Sequence, residues 1–167
     1  RYPAHHVIKM VRGASRRPAS LFTRLSHIVR YPEAAEQCDL DRARIAPRLL
    51  GTDRANMRVV HMSLDGKFIG EIAKGLLLPA CAAIHGDLAA IGEIKGRVTL
   101  LDKEGNVVKQ IGYNDRPDEV GTNRTPRIKW RPGIFTAPHG VDFNAKGDLF
   151  VAEYSTIGRV HRLNKKK

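Results

Sequence analysis

Several common signs of catalytic or membrane function are absent from this chain. Its two cysteines, Cys38 and Cys81, are too few for a disulfide framework and do not form a CxxC pair. They read as separate, partly buried thiols, because free cysteine packs as a small hydrophobe. Aromatic residues make up only 6%, so stacking platforms for single-stranded nucleic acid are sparse. No apolar run reaches 18 residues, which predicts no transmembrane helix and no membrane partner. The longest apolar stretches, Leu76–Leu78 and Ala80–Ile84, are strand-sized. There is no GxSxG, Walker A, GxGxxG or HExxH arrangement, and His5, His6, His61, His85 and His161 show no metal-type spacing. A site assembled from distant loops would leave no such motif.

Acidic residues are also missing from the first 32 positions, which carry Arg1, Lys9, Arg12, Arg16, Arg17, Arg24 and Arg30. Most of the net charge of +12 therefore lies in this stretch and in the tail 164–167 with Lys165–Lys167. The sequence predicts a basic, weakly structured arm at 1–31, with one short helix over Ala19–Val29. No apolar h-region follows the basic residues, so a secretory signal is not expected. An Arg-rich, acid-free start loosely fits an organellar transit segment. Such an arm would also suit phosphate contacts with RNA or DNA. The compartment stays open at this level. The chain starts at Arg1 rather than Met, as a fragment or processed product would.

Between Pro32 and Leu163 one pattern recurs three times. Leu49–Ile72, Leu88–Ile111 and Leu149–Lys167 each open on a short apolar run. Each then carries an acid (Asp53, Glu93, Glu153), a polar turn and an Arg-Val pair (Arg58-Val59, Arg97-Val98, Arg159-Val160). In the first unit Val59, His61 and Ser63 alternate with Val60, Met62 and Leu64, a period of two, as in a half-buried strand. Asp65-Gly66 and Glu104-Gly105 are hairpin signals, since glycine takes positive φ without a Cβ penalty. A proline precedes each unit (Pro32, Pro79, Pro138), where a missing N–H costs little. Units of about four strands and about 40 residues are the signature of propeller blades. The fold class expected is all-β: a partial β-propeller of two to three four-stranded blades at 32–72, 79–111 and 138–163, the last without its fourth strand. Residues 112–137 form a long loop of the kind that carries function, which Trp130 and Phe135 would pin to the body.

Pro138–Leu163, PHGVDFNAKGDLFVAEYSTIGRVHRL, resembles an NHL repeat. Thr52–Ile69 looks like the same repeat in an Asp-Arg-x-Asn-x-Arg variant. Residues 45–163, about 70% of the chain, are similar to the C-terminal part of bacterial six-bladed propeller proteins of unknown activity. The loop end Trp130, Gly133, Phe135, Pro138–Gly140 is the most specific piece. A more distant resemblance is to the lyase domain of peptidylglycine α-amidating enzymes, a six-bladed propeller holding zinc through histidines at blade starts. That resemblance implies a zinc-ligand position for His139 and a substrate-binding position for Arg54. Pro32 and Pro79 are followed by Glu33 and by Ala80-Cys81, not by histidine, so a metal set would have to be Glu33, Cys81 and His139.

Three functions follow as expectations. The first is a non-enzymatic binding or scaffold module for a protein or small molecule, using loops at one end of the blades with Arg54, Trp130, Phe135 and His139. The second is a zinc-dependent lyase with His139 as ligand and Arg54 as substrate anchor. The third is nucleic-acid binding through 1–31. In Arg54 an anion-binding role competes with a turn-fixing pair with Asp53. The recurrence of Asp53, Glu93 and Glu153 argues for a repeated structural task, such as accepting turn N–H groups. A closed six-bladed ring needs roughly 240–300 residues, so the chain would be a fragment, a truncated relative or a half-ring that completes itself by assembly.

Overall fold

The computed structural model describes residues 27–30 and 48–166. They form an all-β partial propeller of three antiparallel sheets. Blade 1 contains β1 (His27–Arg30), β2 (Arg48–Asp53), β3 (Arg58–Ser63) and β4 (Phe68–Lys74) in that spatial order. Blade 2 contains β5 (Pro79–His85), β6 (Leu88–Glu93), β7 (Arg97–Leu101) and β8 (Val107–Ile111). Blade 3 has three strands, β9 (Pro138–Phe143), β10 (Leu149–Glu153) and β11 (Arg159–Leu163). Each sheet is a meander. The first strands lie beside one another, β1 against β5 and β5 against β9, as successive blades do around a propeller axis. No helix among the described residues is long and apolar enough to cross a membrane.

The first strand of blade 1 comes from His27–Arg30, before Pro32, within the stretch expected to be arm. His27–Val29 is thus strand, not the end of a short helix; pairing with Leu50–Thr52 satisfies its backbone within the sheet. The rest of the arm, Cys38, and Glu33 with its neighbours lie outside the described residues.

Strand alternation sorts the side chains onto blade faces. Leu50 and Val59 of blade 1 meet Ala82, Ala89, Ile91 and Leu101 of blade 2 in one core cluster. Ala90 and Val98, on the opposite face of blade 2, meet Leu149 and Val151 of blade 3 in a second. Blade 2 is covered on both faces, which explains the nearly unbroken apolar runs in β5 and β6. The turns keep the blades close. Gly105 (φ 90) stands against blade 1, where an added Cβ would come within 2.2 Å of the Ile72 carbonyl oxygen.

Loop 112–137 is ordered by its own polar network and one apolar plug. Glu119 is buried and receives Arg116 (3.1 Å) and Arg131 (3.4 Å). Asn114 accepts from Arg131 at 2.6 Å and donates to the Phe135 carbonyl at 2.9 Å. Phe135 is fully buried in the second core cluster, edge-on to His161 at 4.8 Å.

Candidate functional site

The antiparallel registers bring the recurring acids and arginines to one end of the blades. Asp53 pairs across from Arg58, Glu93 from Arg97 and Glu153 from Arg159. Each acid closes the second strand of its blade, and each arginine opens the third. The ion pairs are short: Arg58–Asp53 at 3.0 Å, Arg97–Glu93 at 2.7 Å and Arg159–Glu153 at 2.6 Å. Glu93 also accepts the Leu77 N–H and the Thr99 hydroxyl. Glu153 accepts the Thr136 N–H at 2.6 Å and its hydroxyl at 2.9 Å. Both acids thus tie the incoming connection to the blade: the N–H groups they accept belong to that connection and not to the hairpin turn. Burial by itself pushes Glu153 up. The nearby His161 imidazole, bonding from Thr136 and the charge of Arg159 outweigh it and hold the carboxyl below its usual range.

This pattern separates Arg54 from the other arginines. The turn is fixed by Asp53 with Arg58 and with Asn56 (2.8 Å), not by an Asp53–Arg54 pair. Arg58 takes Asp53 because its side chain leaves a strand directly opposite, whereas Arg54 has already entered the turn. Arg54 makes no ion pair or side-chain hydrogen bond among the described residues, and its Nε is buried without a partner. Its charge reaches both His139 and Cys81. His139, the second residue of β9, is at the same end and lies 5.6 Å from the Tyr154 ring, centroid to centroid. Partial desolvation, then the Arg54 charge, hold the His139 imidazole below its ordinary range. A neutral imidazole and an uncommitted guanidinium therefore share one end of the axis, with a phenol beside them.

The four candidate residues do not all face this place. Phe135 is 0% exposed and presents no surface to a ligand. Trp130 donates from Nε1 to the Thr125 carbonyl at 3.2 Å, and the Arg159 guanidinium lies 4.7 Å from its ring centre. Both pin the loop. Arg54 and His139 lie near enough for the Arg54 charge to act on the imidazole. Tyr154 escaped the sequence because an aromatic residue after Glu153 has no counterpart in the other units.

Met57, in the same turn as Arg54, opens onto a groove of about 520 Å³ with Leu77, Leu78, Lys95, Tyr113 and Pro117. Met57 (φ 53) and Leu78 (φ 58) are the non-glycine residues held at positive φ among those described. Such strain collects at functional sites, and nothing in a methionine or leucine announces it in sequence.

Zinc does not fit the described residues. No three His, Cys, Asp or Glu side chains gather as a metal-holding group among them. Burial pushes the Cys81 thiol up to about 12, away from the thiolate that zinc requires. A Cβ built on Gly92 would lie 2.5 Å from Cys81 Sγ, so the thiol is packed against that strand.

No family model matches the chain, and no curated protein matches it. Among solved structures it is similar to virginiamycin B lyase from Staphylococcus aureus, at 15% identity and a TM-score of 0.43 over 72% of this chain and 39% of that one. A streptogramin B lyase structure gives 11% identity and a TM-score of 0.41 over 72% and 38%. The chain spans about two fifths of the length of each.

Proposed function

We propose that this chain is a binding module on an NHL-type propeller of the six-bladed kind, and that it holds an anionic group of its ligand at the axis end bearing Arg54, His139 and Tyr154. The NHL assignment rests on the Pro-His-Gly blade start at Pro138–Gly140 and on the recurring acid and Arg-Val spacing. The ligand reading rests on one observation. Three arginines at equivalent positions are each neutralised by a blade acid, and Arg54 has no such partner among the described residues. A guanidinium with free donors is a fork suited to a carboxylate or phosphate. His139, neutral and beside it, adds a donor or acceptor whose protonation the anion would favour.

The test uses inorganic phosphate and succinate as probes. The His139 ring resonance is followed by NMR during titration. A bound anion moves the resonance and raises the His139 pKa, and Arg54→Gln abolishes both effects. A His139 signal that ignores both probes, or responds equally in the Arg54→Gln protein, removes the anion site.

A further inference from the structure

The two residues strained at positive φ, Met57 and Leu78, come from different loops, the β2–β3 turn and the β4–β5 connection. Both line the same groove. Side chains resist this backbone region, and they stay in it only where the surroundings hold them there. Here backbone hydrogen bonds do so. Met57 accepts the Leu76 N–H at 3.0 Å, and Leu78 accepts the Ile94 N–H at 3.1 Å. Leu77 accepts the Lys95 N–H at 3.3 Å, and Gly96 accepts the Asn114 N–H at 3.0 Å. The blade 1 turn, the connection, the blade 2 turn and loop 112–137 are thereby tied into one frame. The groove is built from residues between 57 and 120, so it lies within the arc of described blades and not at either end of it.

The frame separates apolar groups from charged ones. Leu77 and Leu78 are half-buried along the groove, while Met57 (49%) and Tyr113 (56%) stand exposed beside it. Two charged side chains reach it, Asp115 and Lys95. Asp115 is matched by Arg131 at 3.5 Å. Lys95 makes no ion pair or side-chain hydrogen bond among the described residues. Its stem runs past Gly121, where an added Cβ would stand 3.6 Å from Lys95 Cδ. The uncommitted charge in an apolar groove is therefore positive. Small-ligand sites join an apolar lining to a few placed polar groups, in about 300–1,000 Å³. This groove has about 520 Å³.

We propose that the groove binds a small aromatic carboxylate, its ring against Met57, Leu77, Leu78 and Tyr113 and its carboxylate on Lys95. A ring suits these walls, because a methionine sulfur and a phenol both make favourable contacts with aromatic rings. A carboxylate suits Lys95, since a hydrogen bond between charged groups is stronger than a neutral one. The groove opens at the same end of the blades as Arg54, whose turn carries Met57, but Arg54, His139 and Tyr154 do not line it. The proposal does not rest on the anion reading of Arg54.

The probe is 3-phenylpropionate, with 3-phenylpropanamide as its uncharged counterpart. The whole chain is labelled at its methionine methyl groups, and the Met57 NMR signal is identified by its loss in Met57→Leu. The acid, at up to about 10 mM, shifts that signal saturably, and the amide binds at least about fivefold more weakly. Lys95→Gln brings the acid down to the affinity of the amide, whereas Arg54→Gln leaves the acid's affinity unchanged. Lys95 is exposed, so its substitution spares the fold, and an unchanged circular dichroism spectrum checks this. No saturable shift, an acid and an amide that bind alike, or binding that survives Lys95→Gln overturns the proposal. Loss of binding in Arg54→Gln would put the carboxylate at the axis end instead, and overturns it as well.

Discussion

Removing the Glu93 side chain should cost this fold more than most single substitutions. Glu93 is 0% exposed and has four donors: Arg97 Nε at 3.0 Å, the second Arg97 nitrogen at 2.7 Å, the Thr99 hydroxyl and the Leu77 N–H. Glu93→Ala leaves a largely buried guanidinium, a buried hydroxyl and a backbone N–H without their acceptor. Breaking a buried pair from one side costs about 3–5 kcal/mol. For a domain of this size that lowers the Tm by about 6–20 °C. Glu93→Gln keeps the shape and part of the bonding, so it should cost clearly less. The double variant Glu93→Leu with Arg97→Leu removes both charges and should recover much of the loss. Urea and thermal unfolding followed by circular dichroism give the three values. A cost below about 1 kcal/mol for Glu93→Ala, the range of an exposed pair, would refute the claim that the acid–arginine knots hold the blades. So would a double variant no more stable than the single one.

Other outcomes follow from the same geometry. Phe135→Ala should cost about 3–5 kcal/mol and expose loop 112–137 to limited proteolysis, and an unchanged cleavage pattern would argue against the plug. Arg54→Gln should raise the His139 pKa toward its ordinary value, read by NMR titration without any ligand. The shift is absent if the Arg54 charge does not reach the imidazole. Asp148, held down to about 2 by Arg162 and then by Asn144 and the Lys165 N–H, gives a pH window. Its carboxyl takes up a proton less readily folded than unfolded, so its stabilisation is complete above the ordinary carboxylate range. That contribution is lost as pH falls from about 4 toward 2, and Asp148→Asn should flatten stability across that interval in acid unfolding.

The recurring units were legible because blade strands keep local rules. Alternation sets the faces of β3 and β7, glycine sets the hairpins at Gly66 and Gly105, and an acid spaced ahead of Arg-Val sets the ends of the second and third strands. These signals are short-range, and each unit repeats them. The all-β class and the partial propeller therefore came from sequence alone. A shared structural task for Asp53, Glu93 and Glu153 was also legible, since three copies of one residue class at one register imply one task, and each does take the arginine opposite it.

Other features required the tertiary structure. Asp53 is followed by Arg54 and, five positions on, by Arg58; which of them it binds depends on cross-strand register, and the register gives it Arg58. That choice leaves Arg54 uncommitted and places its charge near His139, 85 positions away in the chain but neighbouring it around the axis. The first strand of blade 1 was missed because His27–Arg30 carries too few residues to show a period and draws its pairing from β2. Phe135 and Trp130 look alike as aromatic members of a polar loop, yet packing alone seals one in the core and lays the other beneath Arg159. The sequence determined the repeating unit through local backbone and side-chain rules. Only the tertiary structure decided which acid takes which arginine and which aromatic is sealed in the core, because both depend on cross-strand register and on contacts between blades that no local pattern encodes.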